Sequence, residues 1–241
     1  MSLPAYFVSD LHLGAEYKRA RPGRESQFRR FLDTCASRGS HLFILGDLFE
    51  FWMEYRNYIP KHHFGTLSAL ERLAGSGVEV HYLSGNHDFN LGRFFQDSLG
   101  LKVHHGPLRI EIQGRKLLLI HGDGLAASDW KYRLVKKVTV HPWSNWWFRL
   151  LHPDWGMELA RTLSRASRDR HGNRPRLLSE YEAACRKLLS QGHDAVMHGH
   201  THAGFVKKLP EGVYVNSGEW LERMEYVALR DGEFTLETWA P

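Results

Sequence analysis

No stretch of this 241-residue chain is apolar for anything like the ~20 residues that a membrane-spanning helix requires. Met1 to Val8 carry neither a basic n-region nor a long apolar core, so no secretory leader is expected. Cysteine is nearly absent. Cys35 and Cys185 stand at no redox or metal spacing, which excludes a disulfide framework and leaves buried thiols in a reducing compartment as the expectation. Internal repeats, low-complexity tracts and clear linkers are also missing. These absences point to a single cytoplasmic domain over 1–241, with peripheral contact at the inner face of a membrane left open.

What is present is a sizeable core and an excess of positive charge. The apolar fraction is 42%, and the formal charge of +5 favours anionic partners such as phosphates, nucleic acid or acidic lipid without choosing among them. Short apolar runs recur, and most of them stop at reactive side chains. Ala5–Val8 leads to Ser9-Asp10-Leu11-His12, and His41–Leu45 leads to Gly46-Asp47. Val78–Leu83 leads to Gly85-Asn86-His87-Asp88, Lys116–Ile120 to His121-Gly122-Asp123, and Ala195–Met197 to His198-Gly199-His200-Thr201-His202. Such runs read as buried strands. Val213–Val215 is another, Ile110–Ile112 forms a hairpin with Lys116–Ile120, and Asp231-Gly232 joins Tyr226–Arg230 to Glu233–Trp239 in a terminal hairpin. Helical spacing covers Gln27–Ser37, Phe64–Ala74 and Leu177–Leu189. The pattern is that of an α/β domain, in which ligands gather at the carboxyl ends of the strands.

Residues 124–178 differ in composition. They hold eleven Lys or Arg against four Asp or Glu, and five of the eight tryptophans: Trp130, Trp143, Trp146, Trp147 and Trp155. Helical patterns fit Trp130–Val140 and Trp155–Arg168, with Pro142 and Pro153 as interruptions. The segment reads as a helical insertion capping the sheet edge. Tryptophan beside dense positive charge suits an amphiphilic or interfacial surface.

Asp10, His12, Asp47, Asn86, His121, His200 and His202 are N and O donors on five strand ends. Taken singly, each is an ordinary polar loop residue. Together they are too many for one catalytic zinc, which takes three protein ligands and a water. They suit two divalent cations sharing a carboxylate, and Asp47 is the natural bridge. Such pairs, ~3.5–4 Å apart, drive in-line displacement at phosphorus with a metal-activated hydroxide. The mixed donor set admits Mn²⁺, Fe or Zn²⁺, with Mn²⁺ taken first.

The motifs Asp-x-His, Gly-Asp, Gly-Asn-His-Asp, His-Gly-Asp and Gly-His-Thr-His, in this order from residue 10 to residue 202, resemble those of the calcineurin-like metallophosphoesterase family. The resemblance implies an α/β fold, a four-layer αββα sandwich with a helical lid insertion at about 124–178. It implies Asp10, His12, Asp47 and His202 on one metal, and Asp47, Asn86, His121 and His200 on the other. His87 and Asp88 become the catalytic candidates, His87 as proton donor or transition-state stabiliser.

Ser-Asp-Leu-His-Leu at 9–13, Gly-Asp-Leu-Phe-Glu at 46–50, Asp88-Phe89 before Leu91-Gly92, and the spacing of His121, Asp129 and Tyr132 resemble one branch in particular, the UDP-2,3-diacylglucosamine pyrophosphatases of lipid A synthesis. That implies cleavage of a nucleotide glycolipid to UMP and a lipid 1-phosphate. It also implies substrate contacts from Asn86, Asp129, Tyr132, Arg165 and Ser167. The branch has Arg where this chain has His87, and a histidine there favours substrates with basic leaving groups. Two other functions fit the same residues: a phosphodiesterase or phosphatase on nucleotides or nucleic acid, and a metal-dependent binding or scaffold protein without turnover. The expected partner is a phosphorylated amphiphilic small molecule, ahead of nucleic acid. Oligomeric state leaves no mark in the sequence.

Overall fold

The computed structural model describes residues 2–15, 17–156, 158–159, 162 and 174–240. Two sheets form its centre. The first has the order β11-β10-β1-β2-β3-β4 and the second β5-β6-β7-β9-β8. The first comprises β1 (Ala5–Val8), β2 (His41–Ile44), β3 (Glu79–Leu83), β4 (Lys102–His104), β10 (Glu225–Arg230) and β11 (Glu233–Thr238). The second comprises β5 (Leu108–Ile112), β6 (Arg115–Leu119), β7 (Ala195–His198), β8 (Phe205–Leu209) and β9 (Gly212–Asn216). β1, β2, β3 and β4 run parallel, as do β6, β7 and β9.

Alternation along the strands builds the layers. Successive side chains point to opposite faces. In β1, Ala5 and Phe7 enter the core between the sheets, where they meet Phe43, Leu45 and Leu83 and, from the facing sheet, Leu117, Leu119, Ala195, Met197 and Val215. Tyr6 and Val8 point outward under α1 (Arg24–Arg38) and α2 (Phe64–Gly75), against Phe28, Phe31, Leu32, Leu67, Leu70 and Leu73. On the far side, Leu118, Val196 and Tyr214 pack on Cys185 and Leu189 of the helix Arg174–Leu189. The order is helix, sheet, sheet, helix, the expected αββα sandwich. Both cysteines are free and buried. Burying each large side chain of α1 contributes about 1.5–3 kcal/mol, and Gly39 closes the helix with its N–H on the Cys35 carbonyl at 2.8 Å.

Several elements escaped the sequence pattern. β4 and β8 are short edge strands of mixed polarity, and the four-residue helix α3 (Phe94–Asp97) carries too little periodicity to register. Pro142 does more than interrupt. It ends α4 (Trp130–Thr139) and opens α5 (Pro142–Arg149), occupying the first helical turn, where a missing N–H costs nothing. Part of the expected helix Trp155–Arg168 lies outside the described residues. The helix Arg174–Leu189 is α6 here.

Candidate metal centre

The parallel strands all deliver their carboxyl ends to one edge. β1 delivers Asp10 and His12, β2 Asp47, β3 Asn86 and His87, β6 His121, and β7 His200 and His202. The turns after them are sharp. Asp10, His12, Asp47, His200 and His202 all have left-handed backbone, with φ of 54°, 46°, 54°, 64° and 54°. Left-handed non-glycine residues cost on the order of 1–3 kcal/mol each and cluster at functional sites. Here the strain turns consecutive donors inward. Glycine is required beside them: a Cβ on Gly85 would collide with the Asp47 carboxylate, and one on Gly199 with the Ser9 hydroxyl and the Asp10 carboxylate.

The donors meet in three groups whose ligand atoms lie within 4.8 Å of one another: Asp10, His12 and His202; His12, Asp47 and His87; and Asp47, His121 and His200. Asp10 Oδ1 is 3.4 Å from His202 Nε2 and 3.8 Å from His12 Nε2. Asp47 Oδ2 is 3.8 Å from His12 Nε2 and 3.4 Å from His121 Nε2. Asn86 Oδ1 lies 2.9 Å from His121 Nε2. These separations approach the ~3–3.5 Å between neighbouring donors around a cation with bonds of ~2.1 Å. Asp10 Oδ1 and His12 Nε2 are buried with no hydrogen-bond partner. Buried polar atoms are otherwise satisfied in folded proteins, so these orphans fit a cation that both would ligate.

Outer contacts aim the imidazoles. His12 Nδ1 is 3.1 Å from Glu50 Oε2, and His121 Nδ1 donates to the Leu45 carbonyl at 2.7 Å, leaving each Nε2 for the cluster. Asp10 Oδ2 accepts from Ser9 Oγ and from the His200 N–H at 2.7 Å. His198 is fully buried between the Gly199 carbonyl, Tyr214 and Asn216, a brace under the Gly199 turn. Burial opposes a negative Asp47, but His121, His87 and His12 outweigh it and hold the carboxyl well below its usual range. Burial also opposes a charged His121, yet Asp47 lifts that imidazole to about 10. Burial, then the neighbouring His121, pushes His200 down to about 3, and burial with His12 does the same to His202. Neutral imidazole is the form that gives a lone pair to a cation.

Asp88, the second catalytic candidate, is held at the turns after β2 and β3. It is fully buried, and its oxygens accept from the backbone N–H of Asp47 (3.1 Å), Leu48 (2.8 Å) and Gly85 (2.8 Å) and from the Tyr82 hydroxyl. It ties the β2 turn to the β3 turn. Asp88→Ala would strand these donors, each unsatisfied group costing about 1–3 kcal/mol. Loss of about 3 kcal/mol or more in urea unfolding is expected, and an unchanged midpoint would exclude the bracing role. His87 lies beside the cluster. Its Nδ1 donates to the Glu50 carbonyl at 3.1 Å, and its ring meets that of His12 edge-on at 4.7 Å.

Of the expected substrate residues, Tyr132 donates its hydroxyl to Asp123 Oδ2 at 2.5 Å, and Asp129 ends the turn Ala127–Asp129 at the head of α4. Arg165 and Ser167 lie outside the described residues. Lys136 also reaches Asp123. Glu50, Asp123 and Lys136 were not foreseen as site residues. Glu50 and Asp123 sit inside the quoted motifs, where a ligand histidine's need for a partner on its second nitrogen was the available signal for Glu50. Lys136 had none.

The sequence profile described as calcineurin-like phosphoesterase matches residues 3–204. The chain belongs to the calcineurin-like phosphoesterase family. Members of this family are metal-dependent hydrolases that work with two divalent cations, and the donors gathered here are candidate ligands for them. Among curated relatives, the UDP-2,3-diacylglucosamine hydrolase of Aeromonas salmonicida (strain A449) is 31% identical over 237 residues, covering 96% of this chain and 91% of that protein. The protein of the same name from Pseudomonas putida (strain F1) is 32% identical, covering 84% and 83%. A solved archaeal phosphodiesterase structure aligns over 98% of this chain and all of that one, with a TM-score of 0.51 at 13% identity, a likeness of fold alone. No described helix is long and apolar enough to cross a membrane.

Proposed function

We propose that this phosphoesterase hydrolyses the pyrophosphate bond of UDP-2,3-diacylglucosamine or a similar nucleotide glycolipid, releasing UMP and the lipid 1-phosphate. The observation that carries this reading is 31% identity to a UDP-2,3-diacylglucosamine hydrolase over 96% of the chain, supported by the grouping of candidate donors at the sheet edge. Asp10, His12, Asp47 and His202 would hold one cation, and Asp47, Asn86, His121 and His200 the other, with Mn²⁺ the first candidate. Such a pair makes water a competent nucleophile near neutral pH and draws charge off the phosphoryl oxygens. The chain's own residues arrange the rest. Asp88 holds the Asp47 and Gly85 turns in register. Glu50 and Leu45 keep the His12 and His121 Nε2 atoms pointed inward. His87, beside His12 and Asp47, would stabilise or protonate the departing oxygen as the phosphorus–oxygen bond breaks.

Residues 124–178 serve in this reading as a helical cap over the centre, within a single domain. Both flanks support it. Tyr132 and Lys136 tie α4 to Asp123, two residues after His121. Asn145 of α5 accepts from Asn90 Nδ2 at 3.0 Å, and Phe148 packs on Phe51 with ring centroids 5.7 Å apart. Outward, Trp130, Leu134, Val135, Val138, Trp143, Trp146, Trp147 and Leu150 are exposed amid basic residues. Apolar side chains exposed at this density suit a binding surface. It suits acyl chains and peripheral contact with a membrane, each buried CH₂ contributing about 0.8 kcal/mol. Replacing Trp146 and Trp147 with Ser should weaken long-chain substrate tenfold or more, by about 1.5–3 kcal/mol per lost side chain, and leave a chain-free analogue nearly unchanged. Equal losses for both would remove acyl recognition.

The decisive experiment compares turnover of UDP-2,3-diacylglucosamine, bis-p-nitrophenyl phosphate and single-stranded DNA by Mn²⁺-loaded protein. Preference for the glycolipid is expected. Preference for DNA would replace this reading with the nuclease one.

A further inference from the structure

Most cations around the centre are already engaged. Arg24 donates from Nη2 to the carbonyls of His12 (3.1 Å) and Ala15 (2.8 Å). Arg223 donates to the His202 carbonyl at 2.6 Å and lies 3.5 Å from both Glu219 and Glu225. Arg133 is held by the carbonyls of Gly124 and Ala126, and Lys136 by Asp123. Arg19 differs. It is exposed, and its guanidinium has no hydrogen bond or ion pair among the described residues.

The loop that carries Arg19 is pinned on both sides. The Ala20 N–H donates to the Tyr17 carbonyl at 3.0 Å, which sets Lys18 and Arg19 at the tip of a tight turn. On one side, the Tyr17 hydroxyl donates to Glu50 Oε2 at 3.2 Å, and its ring meets His12 edge-on at 5.9 Å. On the other, the Arg21 N–H donates to the Leu221 carbonyl at 2.8 Å, two residues from the Arg223 that holds His202. The turn is therefore strapped beside the His12 and His202 half of the centre.

We propose that Arg19 is a specificity-determining residue that binds the second phosphoryl group of a diphosphate whose first phosphoryl group sits at the metal ligands. The inference rests on the nucleotide-diphosphate reading above and deepens it. A guanidinium presents a planar fork that takes two phosphoryl oxygens at once. Among the described residues, Arg19 has no ion pair to break before doing so. Its backbone is already fixed by the turn, so binding orders only the side chain. A monophosphate at the donors would leave this fork unused. The arrangement favours diphosphates over simple esters.

The test is calorimetric titration of metal-loaded wild type, R19A, R19K and R21A with UDP and with UMP. Wild type should bind UDP more tightly than UMP. R19A should lose about 10- to 100-fold in UDP affinity, the loss expected for a charge-assisted contact, and keep its UMP affinity. R19K should recover part of the loss, because it keeps the charge without the fork. R21A, an equally exposed neighbour, should behave as wild type. Equal weakening of UDP and UMP by R19A, no weakening at all, or the same effect from R21A would overturn the assignment. Failure of the substrate reading is separable. Absence of glycolipid turnover by wild type would remove that substrate while leaving the UDP and UMP comparison intact.

Discussion

Asp47→Ala should reduce turnover by about three orders of magnitude or more and lower the bound metal from about two per chain to about one or none, since metal ions contribute several kcal/mol of transition-state stabilisation. The reason is position. The Asp47 carboxylate reaches towards both halves of the centre, within 3.8 Å of His12 Nε2 and 3.4 Å of His121 Nε2. Among the described residues, Asp10 shares a group with His12 and His202, and Asn86 contacts His121. Without Asp47 neither half keeps its full set, and the two lose their common anion. Asp47→Asn separates the effects. It preserves an acceptor for the His87 N–H, which donates to Asp47 Oδ1 at 2.9 Å, but removes the charge. If charge and bridging are what matter, Asn should behave nearly as badly as Ala. Elemental analysis after Mn²⁺ reconstitution, beside turnover of bis-p-nitrophenyl phosphate, measures both. Full metal content with activity near wild type in either variant would end the two-cation reading.

Much of this centre was legible in the chain because its donors follow strands that are buried on both faces. Parallel strands read as short continuous apolar runs, and Ala5–Val8, His41–Ile44 and Ala195–His198 each stop where the donors begin. Convergence of those ends on one edge is a property of parallel α/β topology, whereas the division of the donors between two cations came from the family resemblance. Other features were hidden for physical reasons. The edge strand Lys102–His104 has one neighbour and mixed polarity, so no apolar run marks it. The burden on Asp88 is tertiary: its acceptors serve N–H groups on turns some forty residues apart, which no local pattern reveals. Pro142 illustrates the ambiguity of a residue that can stop one helix and start the next. The exposed tryptophans on α4 and α5 invert the usual expectation that such residues fill a core, and only their place in the fold distinguishes the two.

His87→Ala should slow substrates with poor leaving groups by about 10²–10⁴-fold, the usual contribution of a positioned acid, and good ones far less. The geometry makes the side chain a candidate for that role. Nδ1 is committed to the Glu50 carbonyl at 3.1 Å, so Nε2 is the nitrogen left to act on substrate. The Glu50 carboxylate lies 3.8 Å from the same Nδ1. The ring is only partly buried and stands edge-on to His12, beside the donors and open to a bound phosphoryl group. A proton donor matters in proportion to the basicity of the departing oxygen. An alkoxide gains much from it, whereas a phosphate released from a diphosphate gains little. A series of aryl phosphodiesters of rising leaving-group pKa, run on wild type and H87A, should therefore diverge steadily. Parallel lines would leave electrostatic stabilisation as the role. Parallel lines together with loss of bound metal would instead make His87 a ligand, as its grouping with His12 and Asp47 allows. For the glycolipid, the same variant should retain more activity than it does on alkyl esters, because its leaving group is already a phosphate.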